Sequence, residues 1–307
     1  MRRLLPTALV LALGLATVAA AATARERQVA GQLSAAAIAG TDVAYADEYK
    51  RGCHEVRLWN IATRADRRLA SHCFVSTSTG SGVAGAIASE GRALWLTYTG
   101  GNIREWSLWT KRGSAKTRRL AFLPADVDGP APVVLGRPWE GSLPYATGRT
   151  IVVLAPNGSR RFTLTAADRV VALSAHTRGY AAVLANGTVL SISSAGAVIR
   201  ERTFEPGEVS DAVLAGPGLI VKTRAGLEIH GNTGVRTLPL PSGARFLGYS
   251  EGTVAYGTGR DLRLLRISGG EDRLFKRLAP RFDAQLGRRG LVWASGRTLG
   301  FSVWASL

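Results

Sequence analysis

The chain has 307 residues, of which 46% are hydrophobic and 20% are charged. This composition excludes a disordered, highly charged polypeptide, and a chain of this length can form one all-β domain. The net charge of +17 is compatible with an anionic partner, but the arginines are spread along the whole chain, which favours an ordinary solvated basic surface.

The first 24 residues have the pattern of a secretory signal peptide. A positive start, Arg2-Arg3, precedes an apolar run that extends to Val18 and small residues that end at Ala24. The apolar run is short for a membrane span, and no cysteine follows it for lipid attachment. Cleavage after Ala24 would leave one mature domain, 25–307, without a transmembrane segment. We therefore expect a secreted or extracytoplasmic protein of the cell envelope or periplasm.

A stretch near the mature N-terminus precedes the first repeated unit described below. It extends from Arg27 to Leu33, and the last repeated unit ends at Leu307 with three predicted strands and no outer strand. We predict that the N-terminal stretch supplies this missing strand and closes the last unit.

A short pattern recurs seven times along the mature chain. An Ile or Leu followed by a small residue comes before a turn and a second apolar strand. The seven pairs are Ile38-Ala39, Ile87-Ala88, Leu135-Gly136, Leu173-Ser174, Leu214-Ala215, Leu247-Gly248 and Leu286-Gly287. Their mean spacing is about 41 residues, close to that of four-stranded propeller blades. The spacing predicts an all-β, seven-bladed β-propeller of four-stranded antiparallel blades; the alternative is an all-β sandwich.

Two cysteines, Cys53 and Cys73, lie in the first unit. In an oxidising compartment such a pair normally forms a disulfide bond, which is our prediction. The alternative is a metal site, since His54 and His72 are their neighbours. Adjacent residues of an extended strand point to opposite sides, which makes such pairs poor chelators. We expect no metal and no other cofactor.

One segment of the first unit resembles a known family. The run Glu55-Val56-Arg57-Leu58-Trp59-Asn60 is similar to the third strand of WD-repeat propellers, with Asn60 in place of their Asp. The other units lack that pair, and the whole chain more closely resembles the degenerate propellers related to TolB, the periplasmic protein of the Tol system. This resemblance implies binding of a protein or ligand on one face of a disc and no particular reaction.

Few motifs point to chemistry. The segment from Gly80 to Gly85 matches G-x-G-x-x-G, but strand formers follow it where a dinucleotide site needs a helix, so we predict a glycine-rich loop between blades. The chain has no H-E-x-x-H motif. His176 and His230 are isolated, although His176 follows an inner strand and could face the axis. We therefore assign no catalytic residue.

Charged residues precede several predicted inner strands, where they would share one mouth of the channel. These residues, the predicted mouth set, are Asp168, Arg169, Glu208, Asp211, Arg245, Arg281 and Asp283. They could form a polar ligand site, or they could cap turns and remain solvated.

Three tryptophans are relevant to carbohydrate binding. Trp106 lies on an alternating strand, which predicts a core position. Trp109 and Trp139 lie near predicted loops and are better candidates for stacking on a sugar.

The combined features predict an extracytoplasmic binding module, expected to be a monomer, that presents loops to a protein or to anionic envelope material. Export makes nucleic acid a poor candidate. The alternative is a propeller hydrolase or lyase acting on a polysaccharide-type substrate at the channel mouth. Such an enzyme requires convergent carboxyl groups or a His-acid pair within hydrogen-bonding reach.

Overall fold

The structure is a computed structural model that describes residues 25–74, 80–101, 103–232 and 234–304. These residues form 28 strands in seven four-stranded antiparallel sheets, which confirms the predicted seven-bladed propeller. Within these ranges, no helix has the length and apolar character needed to cross a bilayer. The predicted signal peptide lies outside the described residues.

Each blade is an up-and-down meander, and consecutive blades follow one another along the chain. Blades 1 to 3 consist of β2 (Gln32–Ala39), β3 (Asp42–Lys50), β4 (Cys53–Asn60) and β5 (Asp66–Cys73); β6 (Ser81–Ser89), β7 (Arg92–Thr99), β8 (Ile103–Arg112) and β9 (Arg118–Asp126); and β10 (Val133–Leu135), β11 (Leu143–Thr147), β12 (Thr150–Leu154) and β13 (Arg160–Thr165).

The remaining blades repeat this order, with the first strand of each blade innermost. Blades 4 to 7 consist of β14 (Val170–His176), β15 (Gly179–Leu184), β16 (Thr188–Ser193) and β17 (Val198–Thr203); β18 (Val209–Ala215), β19 (Gly218–Thr223), β20 (Gly226–Gly231) and β21 (Gly234–Pro239); β22 (Arg245–Ser250), β23 (Thr253–Thr258), β24 (Asp261–Arg266) and β25 (Asp272–Arg277); and β26 (Asp283–Gly287), β27 (Gly290–Ser295), β28 (Thr298–Val303) and β1 (Arg25–Gln28).

The hydrophobic core lies between neighbouring blades. Each of its seven clusters combines buried residues of at least two adjacent sheets. The repeated aliphatic–small pairs lie on or directly beside the inner strands, where the small residue permits close approach. A Cβ at Gly136 would come within 2.9 Å of Leu173 Cγ, and one at Gly248 within 2.8 Å of the Leu286 carbonyl oxygen. These close approaches explain the recurring pattern.

The N-terminal strand closes the ring, as predicted, but its bounds differ from the prediction. Strand β1 pairs with β28 in the register Arg25↔Phe301 to Gln28↔Thr298, whereas Leu33 already belongs to β2 of blade 1. The chain passes from blade 7 to blade 1 at Gly31, where a Cβ would overlap the backbone of Glu48. This tight passage, which the apolar pattern does not show, separates the two strands.

Side chains of blade 7 form a second closure near the axis. Gln285 accepts a hydrogen bond from the Ile38 backbone N–H at 3.2 Å and donates one to the Ile38 carbonyl at 3.1 Å. Asp283 accepts from the Ala36 N–H at 3.0 Å. The innermost strands of the first and last blades are therefore joined through side chains as well as through β1.

We expect Gln285→Met to lower the free energy of unfolding by about 2 kcal/mol, because it leaves the buried N–H and C=O of Ile38 without partners. Urea unfolding measures this loss. Gln28→Met is the matched control, since Gln28 makes one exposed hydrogen bond, to Thr298 Oγ1 at 3.0 Å. Equal losses in the two variants would show that the Gln285 bonds do not hold the ring.

Candidate functional site in the central channel

One end of the central channel is crossed by the connection between β10 and β11, which we call the plug loop (residues 136–142). The other inner strands of the structure are joined to their second strands by two residues, such as 40–41 and 288–289. The plug loop is longer and lies at the same end as these short turns, which we call the turn face. The opposite face, where inner strands begin, is the start face.

The plug loop contacts blades on every side of the axis. The Glu140 carboxylate accepts a hydrogen bond from Arg288 of blade 7 at 2.6 Å, and the Gly141 N–H donates to Ser89 Oγ of blade 2 at 2.9 Å. The Trp139 ring lies 4.5 Å from that of His176 in blade 4. These contacts hold the loop across the channel and close it at the turn face.

Arg137 of the plug loop reaches across the channel to blade 5. Its Nη1 donates to Asp211 Oδ1 at 2.9 Å, and its Nη2 contacts Asp211 Oδ2. The guanidinium also lies 4.7 Å from the ring of Phe246 in blade 6. With side-chain exposures of 20% and 17%, Arg137 and Asp211 form a largely buried, bidentate ion pair.

Above the plug loop is a cavity of about 480 Å³, which we call the channel cavity. Apart from Arg137 of the plug loop, blades 1 to 3 contribute an apolar wall, whereas blades 6 and 7 contribute both polar and apolar side chains. Apolar lining residues include Ala35, Ala84, Ile87, Leu96, Trp106, Val133, Leu135 and Phe246, and polar ones are Arg137, Arg245, Asp283 and Gln285. Because β10 has only three residues, blade 3 covers little of blade 2 near the axis, and the cavity extends towards Trp106.

The acidic groups at the channel are engaged in structural bonds. Burial raises the pKa of Asp211, although Arg137 opposes the shift. Burial likewise raises the pKa of Asp283, against the hydrogen bonds from the N–H groups of Ala36 and Ala284. Asp211 thus holds the plug loop, and Asp283 holds the neighbouring inner strand β2.

The structure divides the predicted mouth set. Arg245 and Asp283 begin inner strands and line the channel cavity, and Asp211 contacts it through Arg137. The other members do not line it. Asp168 accepts from the Arg169 backbone N–H at 2.6 Å and Glu208 from the Glu205 N–H at 3.2 Å, which are turn-capping bonds, and Arg281 lies in a turn with φ of 61°.

Arg137 was missed by the sequence analysis, which treated Leu135-Gly136 as one more inner-strand end. The available signal was spacing. Seven residues separate Leu135 from Leu143, whereas two separate the corresponding strands elsewhere in the described chain. An extended connection next to the axis, carrying Arg, Trp and Glu, was the feature to examine.

The cysteines form the predicted disulfide bond. Cys53 begins β4 and Cys73 ends β5 directly opposite, so the bond joins the ends of two paired strands. His54 and His72 face each other one residue further along, and His72 Nε2 accepts the Trp95 indole N–H at 2.9 Å. Among the described residues no group of three or more potential metal ligands occurs.

The hydrogen bond from Trp95 requires a neutral His72. Burial lowers the pKa of His72 below its ordinary 6.5, so the unfolded chain takes up a proton first as the pH falls. We therefore expect His72 to destabilise the fold progressively below about pH 6.5. Comparing urea unfolding of the wild type and His72→Gln between pH 8 and 5 tests this, because the Gln carbonyl can accept the same bond without titrating. Identical pH dependence in both proteins would contradict the prediction.

Two further predictions need correction. The glycine-rich segment Gly82–Gly85 is part of the inner strand β6 and not a loop between blades. Trp139 is buried in the plug loop, and Trp109 lies on β8 with its Nε1 donating to Thr97 at 3.0 Å, so neither offers an open stacking platform. Trp106 is a core residue, as predicted, and also lines the channel cavity.

The outer strands carry a feature that the sequence did not reveal. Each of the seven has at least one arginine, and we call the set the arginine belt. It comprises Arg25 and Arg27 on β1, Arg67 and Arg68 on β5, Arg118 and Arg119 on β9, Arg160 and Arg161 on β13, Arg200 and Arg202 on β17, Arg236 on β21, and Arg273 and Arg277 on β25. Acidic residues on the same strands are fewer: Glu26, Asp66, Asp126, Glu201 and Asp272.

Solved structures identify the architecture. A chain of the mitotic checkpoint complex matches with a TM-score of 0.57 and 14% identity over 99% of both chains. The fold is a WD40-like seven-bladed β-propeller. Raptor of Chaetomium thermophilum matches with a TM-score of 0.56 and 14% identity. The match covers 91% of this chain and 28% of Raptor. Sqt1 of Saccharomyces cerevisiae matches with a TM-score of 0.52 and 11% identity, over 91% of this chain and 98% of Sqt1. No protein-family model and no curated protein matches the propeller in sequence.

Proposed function

We propose that this propeller is an extracytoplasmic binding module, of the secreted bacterial TolB-like type, that docks through its arginine belt onto anionic material of the cell envelope. The belt is the observation that carries the proposal. Propellers are commonly protein-interaction scaffolds, and a protein partner is the second candidate. The channel chemistry described above gives no specific support to a hydrolase or lyase.

The belt fits a long anionic polymer better than a compact acidic ligand. Its arginines lie on consecutive blades around the circumference, and most are solvent-exposed. Several have no ion-pair partner among the described residues, including Arg67, Arg118, Arg160 and Arg200. Phosphate groups of a flexible polymer can pair with such arginines one after another, and the guanidinium fork suits phosphate.

Charged edge strands also prevent sheets of different molecules from pairing, and this is the structural alternative. The two explanations differ in what the arginines contact. In the proposal their loss removes polymer binding, whereas in the alternative it causes self-association without affecting polymer binding.

The test uses poly(glycerol phosphate) coupled to beads and the mature protein. A variant with Gln at Arg67, Arg118, Arg160 and Arg200 loses one belt arginine from each of blades 1 to 4. We expect its capture at 0.1 M salt to fall at least tenfold, and wild-type capture to fall steeply as salt is raised. Undiminished capture by the variant would overturn the proposal.

A matched control removes the same charge away from the belt. It carries Gln at Arg51, Arg112, Arg178 and Arg266, which lie at turns or on strands other than the outer ones and are exposed. Capture of this variant should remain within twofold of wild type. Equal losses in the two variants would show that total charge and not the belt determines binding.

Extracytoplasmic location rests on the signal-peptide pattern and on the disulfide bond, which is typical of oxidising compartments. Expression of the full chain in a bacterium, followed by mass spectrometry of the extracytoplasmic fraction, tests it. We expect a mature protein that begins at Arg25 with both cysteines oxidised. Retention of residues 1–24 in the cytoplasm would contradict this part of the proposal.

A further inference from the structure

We propose that the channel cavity binds a small amphipathic carboxylate, with the apolar part of the ligand between blades 2 and 3 and its anionic group at Arg245. This site is separate from the arginine belt, and the inference does not depend on the proposed function. Three features of the cavity carry it: its size and its closure at one end, an unpartnered buried donor, and an exposed cation on the opposite wall.

The first feature is the shape. Ligand pockets commonly have volumes of about 300–1,000 Å³, are mainly apolar and contain a few directed polar groups. The channel cavity has about 480 Å³ and matches this description. The plug loop closes it at the turn face, so a ligand would enter from the start face, where the cavity is open.

The second feature is the indole N–H of Trp106. Trp106 is 7% exposed and lines the cavity, and its Nε1 has no hydrogen-bond partner within the described parts of the chain. The neighbouring lining side chains Leu96 and Val133 are apolar and cannot accept its hydrogen bond. A buried donor without a partner is costly, and an acceptor oxygen supplied by a ligand would remove that cost.

The third feature is the charge on the polar wall. Arg137 is neutralised by Asp211, and the Asp283 carboxylate accepts hydrogen bonds from two backbone N–H groups. Arg245, in contrast, is exposed at the start of β22. It makes one hydrogen bond, to the Phe282 carbonyl at 2.8 Å, and lies 4.8 Å from the Phe282 ring. Its charge opposes the rise in the pKa of Asp283, but the two groups form no ion pair among the described residues, and the other guanidinium N–H groups of Arg245 make no hydrogen bond there. An anionic group is therefore the complement that this wall lacks.

Decanoate is the probe, measured by isothermal titration calorimetry below its micelle concentration with the mature, oxidised protein. We expect one decanoate per protein. Acetate has the head group without the apolar body, decylammonium has the body with the opposite charge, and both should bind at least tenfold more weakly. Decylammonium binding as tight as that of decanoate would overturn the assignment of an anionic ligand.

Three variants locate the site. Ala84 is exposed on the cavity wall, so Ala84→Phe fills open space and should abolish binding. Arg245→Met should weaken decanoate at least tenfold. Trp106→Phe should leave decanoate within twofold, because the alkyl chain has no acceptor, but should weaken 10-hydroxydecanoate about fivefold, because its terminal hydroxyl can accept the indole hydrogen bond. Arg51→Met, at an exposed turn, is the control and should bind as wild type does.

Thermal unfolding of each variant establishes that it is folded. Should Trp106→Phe be unstable, Ala84→Phe and Arg245→Met still decide the question, because neither residue is in the buried core. Unchanged binding in both would overturn the proposal. Ala84→Phe should leave capture by poly(glycerol phosphate) unaffected, which separates this site from the arginine belt.

Discussion

Arg137→Met should lower the free energy of unfolding by about 3 kcal/mol at pH 7. The substitution keeps much of the apolar length of the side chain but leaves the Asp211 carboxylate, 17% exposed, without its counter-charge. Removing one partner of a buried ion pair typically costs about 3–5 kcal/mol, and residual exposure places this case at the lower end. Urea unfolding at pH 7 measures the loss.

The pH dependence of this variant provides a second readout. Burial raises the pKa of Asp211, and loss of Arg137 removes the opposing influence. A carboxyl with a raised folded-state pKa costs stability above that pKa, so Arg137→Met should regain stability as the pH falls towards 5. Adding Asp211→Asn should remove this dependence, because no unpaired carboxylate remains.

Arg288→Met is the matched control, since Arg288 pairs with Glu140 of the same plug loop but is 56% exposed. An exposed ion pair contributes about 0–1 kcal/mol. Similar losses for the two substitutions would show that contacts of the plug loop in general, and not the Arg137–Asp211 pair, account for the effect.

Loss of the Cys53–Cys73 disulfide should lower the free energy of unfolding by about 3 kcal/mol. The bond closes a loop with a sequence separation of 20 residues, and in the chain-entropy model such a crosslink acts mainly by restricting the unfolded chain. Within the fold it joins the last two strands of blade 1 at their ends, beside the hydrogen bond from Phe74 N–H to the Gly52 carbonyl.

The measurement is urea unfolding of Cys53→Ala/Cys73→Ala compared with the oxidised wild type. Reductant should shift the wild-type midpoint to that of the variant and leave the variant unchanged. A reductant effect of the same size in the variant would show that the loss does not come from the disulfide.

The parts of the structure that recur locally could be predicted from the sequence. A pair such as Leu286-Gly287 indicates an inner strand that packs closely against the neighbouring inner strand. Every blade requires the same packing, so the pair recurs. Cys53 and Cys73 were identified as a bonded pair because the chain has no other cysteine. Asp283 and Arg245 were placed at the channel because they directly precede inner-strand patterns.

The errors come from contacts between residues distant in sequence. Nothing near Arg137 indicates that its partner lies 74 residues away on blade 5, because the ion pair spans an axis that exists only once the ring is closed. The start of β2 at Gln32 depends on the close passage of Gly31 beside Glu48, which also is non-local. Trp106 was recognised as a core residue, but not as part of a cavity wall.

By itself the sequence determined the number of blades, the antiparallel strand order, the closing role of the N-terminus and the disulfide, because each depends on a local pattern or on composition. Only the tertiary structure decided where the charges lie. Arginines that are scattered along the chain, such as Arg67, Arg118 and Arg160, lie on successive outer strands. This happens because each blade repeat places its fourth strand at the same distance from the propeller axis. The same closure brings Arg137 to Asp211 and forms the channel cavity.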